Sequence, residues 1–192
     1  GAQTFTVPGT MTLPDGMTNS GNISLGVQIS VSVEAAPILP DPQFKLTMNT
    51  TIDSVPTAIA AADNTLATPD AVKGRMQIGI DSALGTGSSI HYFDLLLMVS
   101  NDNGTTWDTA TPDNFPADGI RVVIPWEKLG ITYAQAQRMN FSVTHMFSSA
   151  VNGHTPGTTE TPQWTVTADG LTFTLAGLSP VAIGFKTLPL VT

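Results

Sequence analysis

The sequence predicts an all-β fold, an antiparallel β-sandwich with one or two very short helices. Three observations carry this: hydrophobic residues recur with a period of two over many short stretches, 14 prolines and 17 glycines punctuate those stretches, and helical periodicity is scarce.

The clearest strand comes first. Ile23, Leu25, Val27, Ile29, Val31 and Val33 alternate with Ser24, Gly26, Gln28, Ser30, Ser32 and Glu34, as in a strand with one face buried. Shorter alternations follow at Phe44, Leu46, Met48; at Met76, Ile78, Ile80; at Ile120, Val122, Ile124; and at Phe141, Val143, His145, Phe147. "IHYFDLLLMVS" is apolar at both sets of positions and predicts a central strand with Asp94 in its middle. "WTVTADGLTFTL" predicts a hairpin turning at Ala168, Asp169 and Gly170, and "GLSPVAIGF" a last strand. Short helical connections are expected in "PTAIAAAD" from Pro56 and "TYAQAQR" from Thr132. Residues 1–20 read as an N-terminal edge strand and linker, and residues 21–192 as the sandwich domain, with 35–43 and 82–90 as the places where it could divide.

Composition narrows the function. A chain of 192 residues with 41% hydrophobic content can bury a core of its own. Only 11% of residues are charged, so hydroxyls and amides wet the surface, as is common outside cells. Fifteen acidic residues against seven basic ones give a net charge of −8, which excludes the clustered cations that nucleic acid needs. The absence of cysteine removes disulfides, thiolate metal sites and cysteine nucleophiles. The longest strongly apolar run, Leu95 to Val99, falls far short of the roughly 20 residues that span a bilayer, so no membrane insertion is expected. The opening "GAQ" reads as a mature or trimmed start.

"SNDNGTTW", 100–107, fits Ser-x-Asp-x-Gly-x-Thr-Trp and is similar to the Asp-box hairpin of sialidases and other secreted β proteins. In that reading Asp102 and Gly104 build the turn while Thr106 and Trp107 anchor it on the sheet. The role is architectural, since a sialidase also needs an arginine cluster, and only Arg75, Arg121 and Arg138 occur.

"YFDLLL" (92–97), "DNFPADGIRVVIPW" (113–126), "FSVTHMFSSAVNGHTPG" (141–157) and "GLTFTLAGLSPVAIGF" (170–185) resemble β-sandwich modules of large cell-surface proteins from Gram-positive, often gut-dwelling, bacteria. The resemblance extends over about half the chain, and the His-Met-Phe strand, the Asn-Gly-His-Thr-Pro-Gly loop and the Leu-Ser-Pro-x-Ala-Ile-Gly ending are its most specific parts. It implies a non-catalytic extracellular module, related in strand plan to immunoglobulin-like or ZU5-like sandwiches and serving adhesion or display. The chain departs from such modules after its Ile-Pro strand, where "PWEKLGITYAQAQRMN" inserts Trp126, Glu127, Lys128 and a helical turn.

Each residue able to do chemistry also has a structural reading. Glu34, Glu127 and Glu160 are the only glutamates and read as solvated surface acids, so the paired carboxylates of a glycosidase are not expected. Asp94, inside an apolar strand, must be bonded to be tolerated and reads as a structural acid held by backbone N–H groups or by His91. His145 shares its face with Phe141, Val143 and Phe147 and reads as a core histidine, whereas His154 in "NGHTPG" reads as a turn-stabilising side chain. No zinc spacing joins the three histidines. Oxygen ligands around Asp102, Asp108 and Asp113 leave calcium as the one metal to consider. No Gly-x-Ser-x-Gly occurs, and "GTGSS" at 85–89 lacks the lysine of a phosphate loop.

The expected function is a non-enzymatic, secreted or cell-surface module for adhesion, display or spacing. It would belong to a larger multidomain protein and take a host or bacterial glycan or protein as partner, without a cofactor. The alternative is a carbohydrate-binding module, calcium-assisted or not, in which Trp126, Tyr133 and Trp164 stack on sugar rings beside Glu127 and His154; against it, core or hairpin packing is the favoured reading of these aromatics, because sandwiches bury their tryptophans. Loops 100–107, 126–133 and 152–156 are the expected contact surfaces.

Overall fold

The computed structural model describes residues 42–189. The segment 1–20, the alternating strand from Ile23 to Val33, Glu34 and most of the proline-rich joint lie outside the described residues. Two compact units are distinguished and taken one at a time: a body, Phe44–Val99 with residues from Trp107 onward, and a loop, Ser100–Thr106, grouped with Gln43.

In chain order the elements are β1 Gln43–Asn49, α1 Thr57–Ala62, α2 Pro69–Leu84, β2 Ser89–Ser100, β3 Asp108–Thr109, β4 Ile120–Ile124, α3 Tyr133–Ala136, β5 Met139–Met146, β6 Thr159–Glu160, β7 Trp164–Val166, β8 Leu171–Leu175 and β9 Val181–Thr187. They make two antiparallel sheets. The larger has the order β1-β2-β9-β5-β6 with β3 also on β2, and the smaller has the order β4-β8-β7.

Alternation along the strands builds the layer between the sheets. Phe93 and Leu95 of β2, Phe141 and Val143 of β5, and Val181, Ile183 and Phe185 of β9 face Val122 and Ile124 of β4 and Leu171, Phe173 and Leu175 of β8 across one core. Each such side chain contributes about 1.5–3 kcal/mol when fully buried, so this interface is the main stabilising term of the sandwich. The predicted hairpin is present, with Trp164 opposite Phe173 and Val166 opposite Leu171. The central strand is present too, since β2 lies between β1 and β9.

One segment differs from its expected form. Met76, Ile78 and Ile80 belong not to a strand but to the 16-residue helix α2, longer than the very short helices expected. Its buried residues are Val72, Met76 and Ile80, four apart, while Ile78 is 66% exposed. Thr68 caps the start by accepting from the Ala71 N–H at 3.2 Å, Pro69 opens the first turn, and Gly85 ends the helix at φ 75°. The helix covers the other face of the larger sheet in a second core with Ile52, Ile59, Leu66, Met146 and Ala182. Contact there is close because β9 offers Gly184 to Ile80 and α2 offers Gly79 to Thr144.

The two short helical connections occur where expected, α1 after Pro56 and α3 with a full capping box in which Thr132 and Gln135 satisfy each other's backbone N–H. Among the described residues, no helix is long and apolar enough to cross a membrane.

Candidate functional site

The loop between β2 and β3 is built around one carboxylate. Asp102 Oδ1 accepts from the Thr106 N–H and the Ser100 hydroxyl, each at 2.8 Å, and Oδ2 accepts from the Thr106 hydroxyl at 2.6 Å. The Gly104 N–H donates to Ser100 Oγ at 2.8 Å, and Asn103 and Gly104 take the left-handed angles of φ 57° and 80° that such a turn demands. Bonds from Thr106 and then Ser100 hold the Asp102 carboxyl down at about 2. In the body, Lys45 Nζ lies 4.3 Å from the centroid of the Trp107 ring.

The three candidate calcium ligands do not gather among the described residues. Among the described residues no three His, Asp or Glu side chains come together as a metal-ligand set. Asp102 has its carboxylate closed onto its own turn, Asp108 lies exposed in β3, and Asp113 lies exposed in a short 3-10 turn after Thr111.

The aromatic residues that the carbohydrate-binding alternative needs are dispersed as well. Trp126, 6% exposed, packs its ring 5.6 Å from Phe141 and donates its Nε1–H to the Thr167 carbonyl at 2.8 Å. Trp164 meets the same phenylalanine edge-on at 5.5 Å. Both tryptophans therefore serve the layer between the sheets. Glu127 and Tyr133 are exposed, in the 3-10 turn after Pro125 and at the start of α3. His154 lies flat on Phe147, ring centroids 4.0 Å apart, and shields that buried ring instead of bracing only its own turn.

Two half-buried polar clasps organise the rest. Among the described residues Asp94 bonds neither backbone N–H groups nor His91; its Oδ1 accepts from the Ser179 hydroxyl at 2.5 Å, while the His91 ring stacks on Phe185 at 5.7 Å. Burial alone lowers the His91 pKa. Asp94 and Ser179 line a cavity of about 280 Å³ together with Ser148 and Ser149, and no histidine lines it to activate a serine.

The second clasp joins a core histidine to a glutamate that the sequence suggests is solvated. β5 pairs with β6 so that His145 lies opposite Glu160, and His145 Nδ1 sits 2.8 Å from Glu160 Oε1. The Ala176 N–H donates to the same oxygen at 3.1 Å. Burial pulls the Glu160 carboxyl upward, but the bonds from His145 and Ala176 outweigh it and leave the pKa below the usual carboxylate range. Glu160 is therefore ionised at neutral pH and can only accept, which assigns a hydrogen to His145 Nδ1. His145 itself is fully buried, and its Nε2 has no partner among the described residues.

Glu160 also borders a groove of about 480 Å³ on the smaller sheet, shared with Arg121, Gln163, Thr165, Thr172, Thr174 and Asp118. Composition and spacing do not single out these residues, although the outward positions of the "WTVTADGLTFTL" hairpin are legible as its threonines. Two carboxylates thus meet in one groove. One of them, Glu160, is held ionised, the opposite of what a glycosidase acid requires.

Comparison with protein-family models, with curated proteins and with solved structures returns no match, so the reading below rests on this chain's own residues.

Proposed function

We propose that this chain is a non-catalytic module of a bacterial cell-surface protein, used for adhesion, display or spacing. The observation that carries it is the fate of the reactive side chains: Asp102 closes on Ser100 and Thr106, Glu160 on His145 and Ala176, and Asp94 on Ser179. Each acid stiffens a loop or strand end, and Asp102 and Glu160 are held below the usual carboxylate range, away from the neutral form that a general acid needs. Two antiparallel sheets packed on one another are compatible with the immunoglobulin-like or ZU5-like kinship suggested by residues 92–185, with α2 as an addition on the outer face. The sparse charge and the hydroxyl-rich surface support an extracellular setting.

Two measurements test this reading. An antibody against the chain should label intact, unpermeabilised cells of the source organism, and labelling only after lysis refutes the surface location. Panels of chromogenic glycosides, esters and peptides should give no turnover, and saturable turnover that disappears in Glu160→Gln or Asp118→Asn refutes the non-catalytic part.

A further inference from the structure

We infer that the groove on the outer face of the smaller sheet is a binding site for neutral saccharides. The inference rests on the non-catalytic reading above and names its ligand class.

The groove follows from strand alternation. With Val122, Ile124, Leu171, Phe173 and Leu175 turned into the core, Arg121 of β4 and Thr172 and Thr174 of β8 fall on the opposite face, and Thr165 of β7 joins them. Register brings these side chains into a continuous patch, since Arg121 pairs with Thr174 and Thr165 pairs with Thr172. Glu160 at the end of β6 and Gln163 in the connection to β7 enclose it. Its volume of about 480 Å³ lies within the range of roughly 300–1,000 Å³ common to small-ligand sites.

The lining selects the ligand. Sites for apolar molecules are walled by aliphatic and aromatic groups with a few polar ones. Here hydroxyls, an amide, a guanidinium and carboxylates share the lining about equally with apolar groups such as Pro162, Phe173 and Ala176, and the polar set matches a polyol presenting many donors and acceptors. Several of these groups have no internal use. Arg121 makes no ion pair and Gln163 no side-chain hydrogen bond among the described residues. Thr172 is about nine-tenths buried, yet its hydroxyl has no partner there, an exception in a folded interior. Glu160, by contrast, is fixed through Oε1 and ionised, a preorganised acceptor for a sugar hydroxyl.

Charge decides between neutral and acidic sugars. Asp118 and Glu160 oppose a single Arg121, in a chain of net charge −8, so a carboxylated or sulfated sugar meets net repulsion.

The test uses the full chain. An array of neutral glycans is screened first, followed by solution titrations with lactose, cellobiose, maltose and chitobiose, and with 3′-sialyllactose as the acidic counterpart, monitored by amide chemical shifts. At least one neutral saccharide should bind, perturbing amides of residues 163–165 and 172–174. Arg121→Ala and Gln163→Ala, both exposed and outside the internal bonding, should weaken it about tenfold or more while leaving the melting curve unchanged. Silence across neutral glycans, binding indifferent to both variants, or preference for sialyllactose overturns the inference. The same mixtures are run on a chromatograph afterwards: cleaved sugar refutes the non-catalytic reading, whereas intact sugar with no binding refutes only the groove.

Discussion

Replacing Gly184 by alanine tests the close seat of α2 on the larger sheet. Gly184 lies in β9, flanked by Ile90 of β2 and Ser142 of β5, so its backbone cannot move aside without disturbing both neighbours. A Cβ there would sit 2.3 Å from Ile80 Cγ2, and 3.5 Å from Ile80 Cβ and Leu84 Cδ1. That is roughly 1 Å short of ordinary contact, and Ile80 cannot rotate away, because a β-branched residue in a helix has essentially one χ1 rotamer. The helix must lift. Overpacking of this kind costs about 1–3 kcal/mol, and relieving a strand glycine returns about 0.5–1 kcal/mol, so the net loss centres near 1 kcal/mol and reaches at most about 2.5 kcal/mol. For a chain of this size each kcal/mol lost lowers the midpoint by about 2–4 °C. Gly74→Ala is the control: it lies in the same helix with nothing within 4 Å of a new Cβ, and it should stabilise by about 0.5–1 kcal/mol. Urea unfolding followed by tryptophan fluorescence gives both values. Ile80→Leu, which moves the branch from Cβ to Cγ, should restore much of the Gly184→Ala loss. If Gly184→Ala proves as stable as Gly74→Ala, the close packing derived from these distances is wrong.

Other outcomes follow from the same contacts. Met76→Ala and Ile80→Ala should each cost about 2–5 kcal/mol, whereas Ile78→Gln should stay within about 0.5 kcal/mol; equal losses at 78 and 80 in denaturant unfolding would restore the strand reading of that segment. Glu160→Ala leaves the buried His145 Nδ1–H without an acceptor and should cost about 1–3 kcal/mol by the same assay, and no loss refutes the clasp. Because the folded Glu160 pKa is lowered, the clasp's contribution is complete above the unfolded value and disappears as the pH falls through the folded one; Glu160→Gln should flatten that acid limb of the stability profile. For Asp102 the window is set by the unfolded value near 4 and the folded value of about 2, so acid titration should release the Thr106 amide to hydrogen exchange across that range, and Asp102→Ala, which removes the acceptor, should release it at neutral pH.

Elements stabilised by neighbours in the sequence were legible in it. The hairpin over 164–175 needs only alternation and a turn, and the capping box of α3 only Thr132 and Gln135 three residues apart. α2 was hidden by a short window. The triplet Met76, Ile78, Ile80 alternates like a strand, and only the longer stretch from Thr68 to Gly85 reveals the Thr-Pro-Asp start, the glycine end and the Val72-Met76-Ile80 spacing. Gly74 and Gly79, both poor helix formers, blurred that pattern further. Partners distant in the chain were out of reach. Asp94 could be recognised as an acid in need of a donor, but nothing local points to Ser179, 85 residues away. Glu160 was legible as a loop acid and became the half-buried partner of a core histidine only through the pairing of β5 with β6. The groove is likewise assembled from strands separated by long connections.

The shortness of β6 has a bearing on how two copies of this chain would behave when brought together. Among the described residues it is the outermost strand on that side of the larger sheet, with only His145↔Glu160 and Met146↔Thr159 as its pairs, and Pro162 follows two positions later. So brief a margin, followed by a residue that cannot donate, is a poor template for another chain's backbone. Two molecules brought together at high concentration would have little means of zipping into one another along that margin.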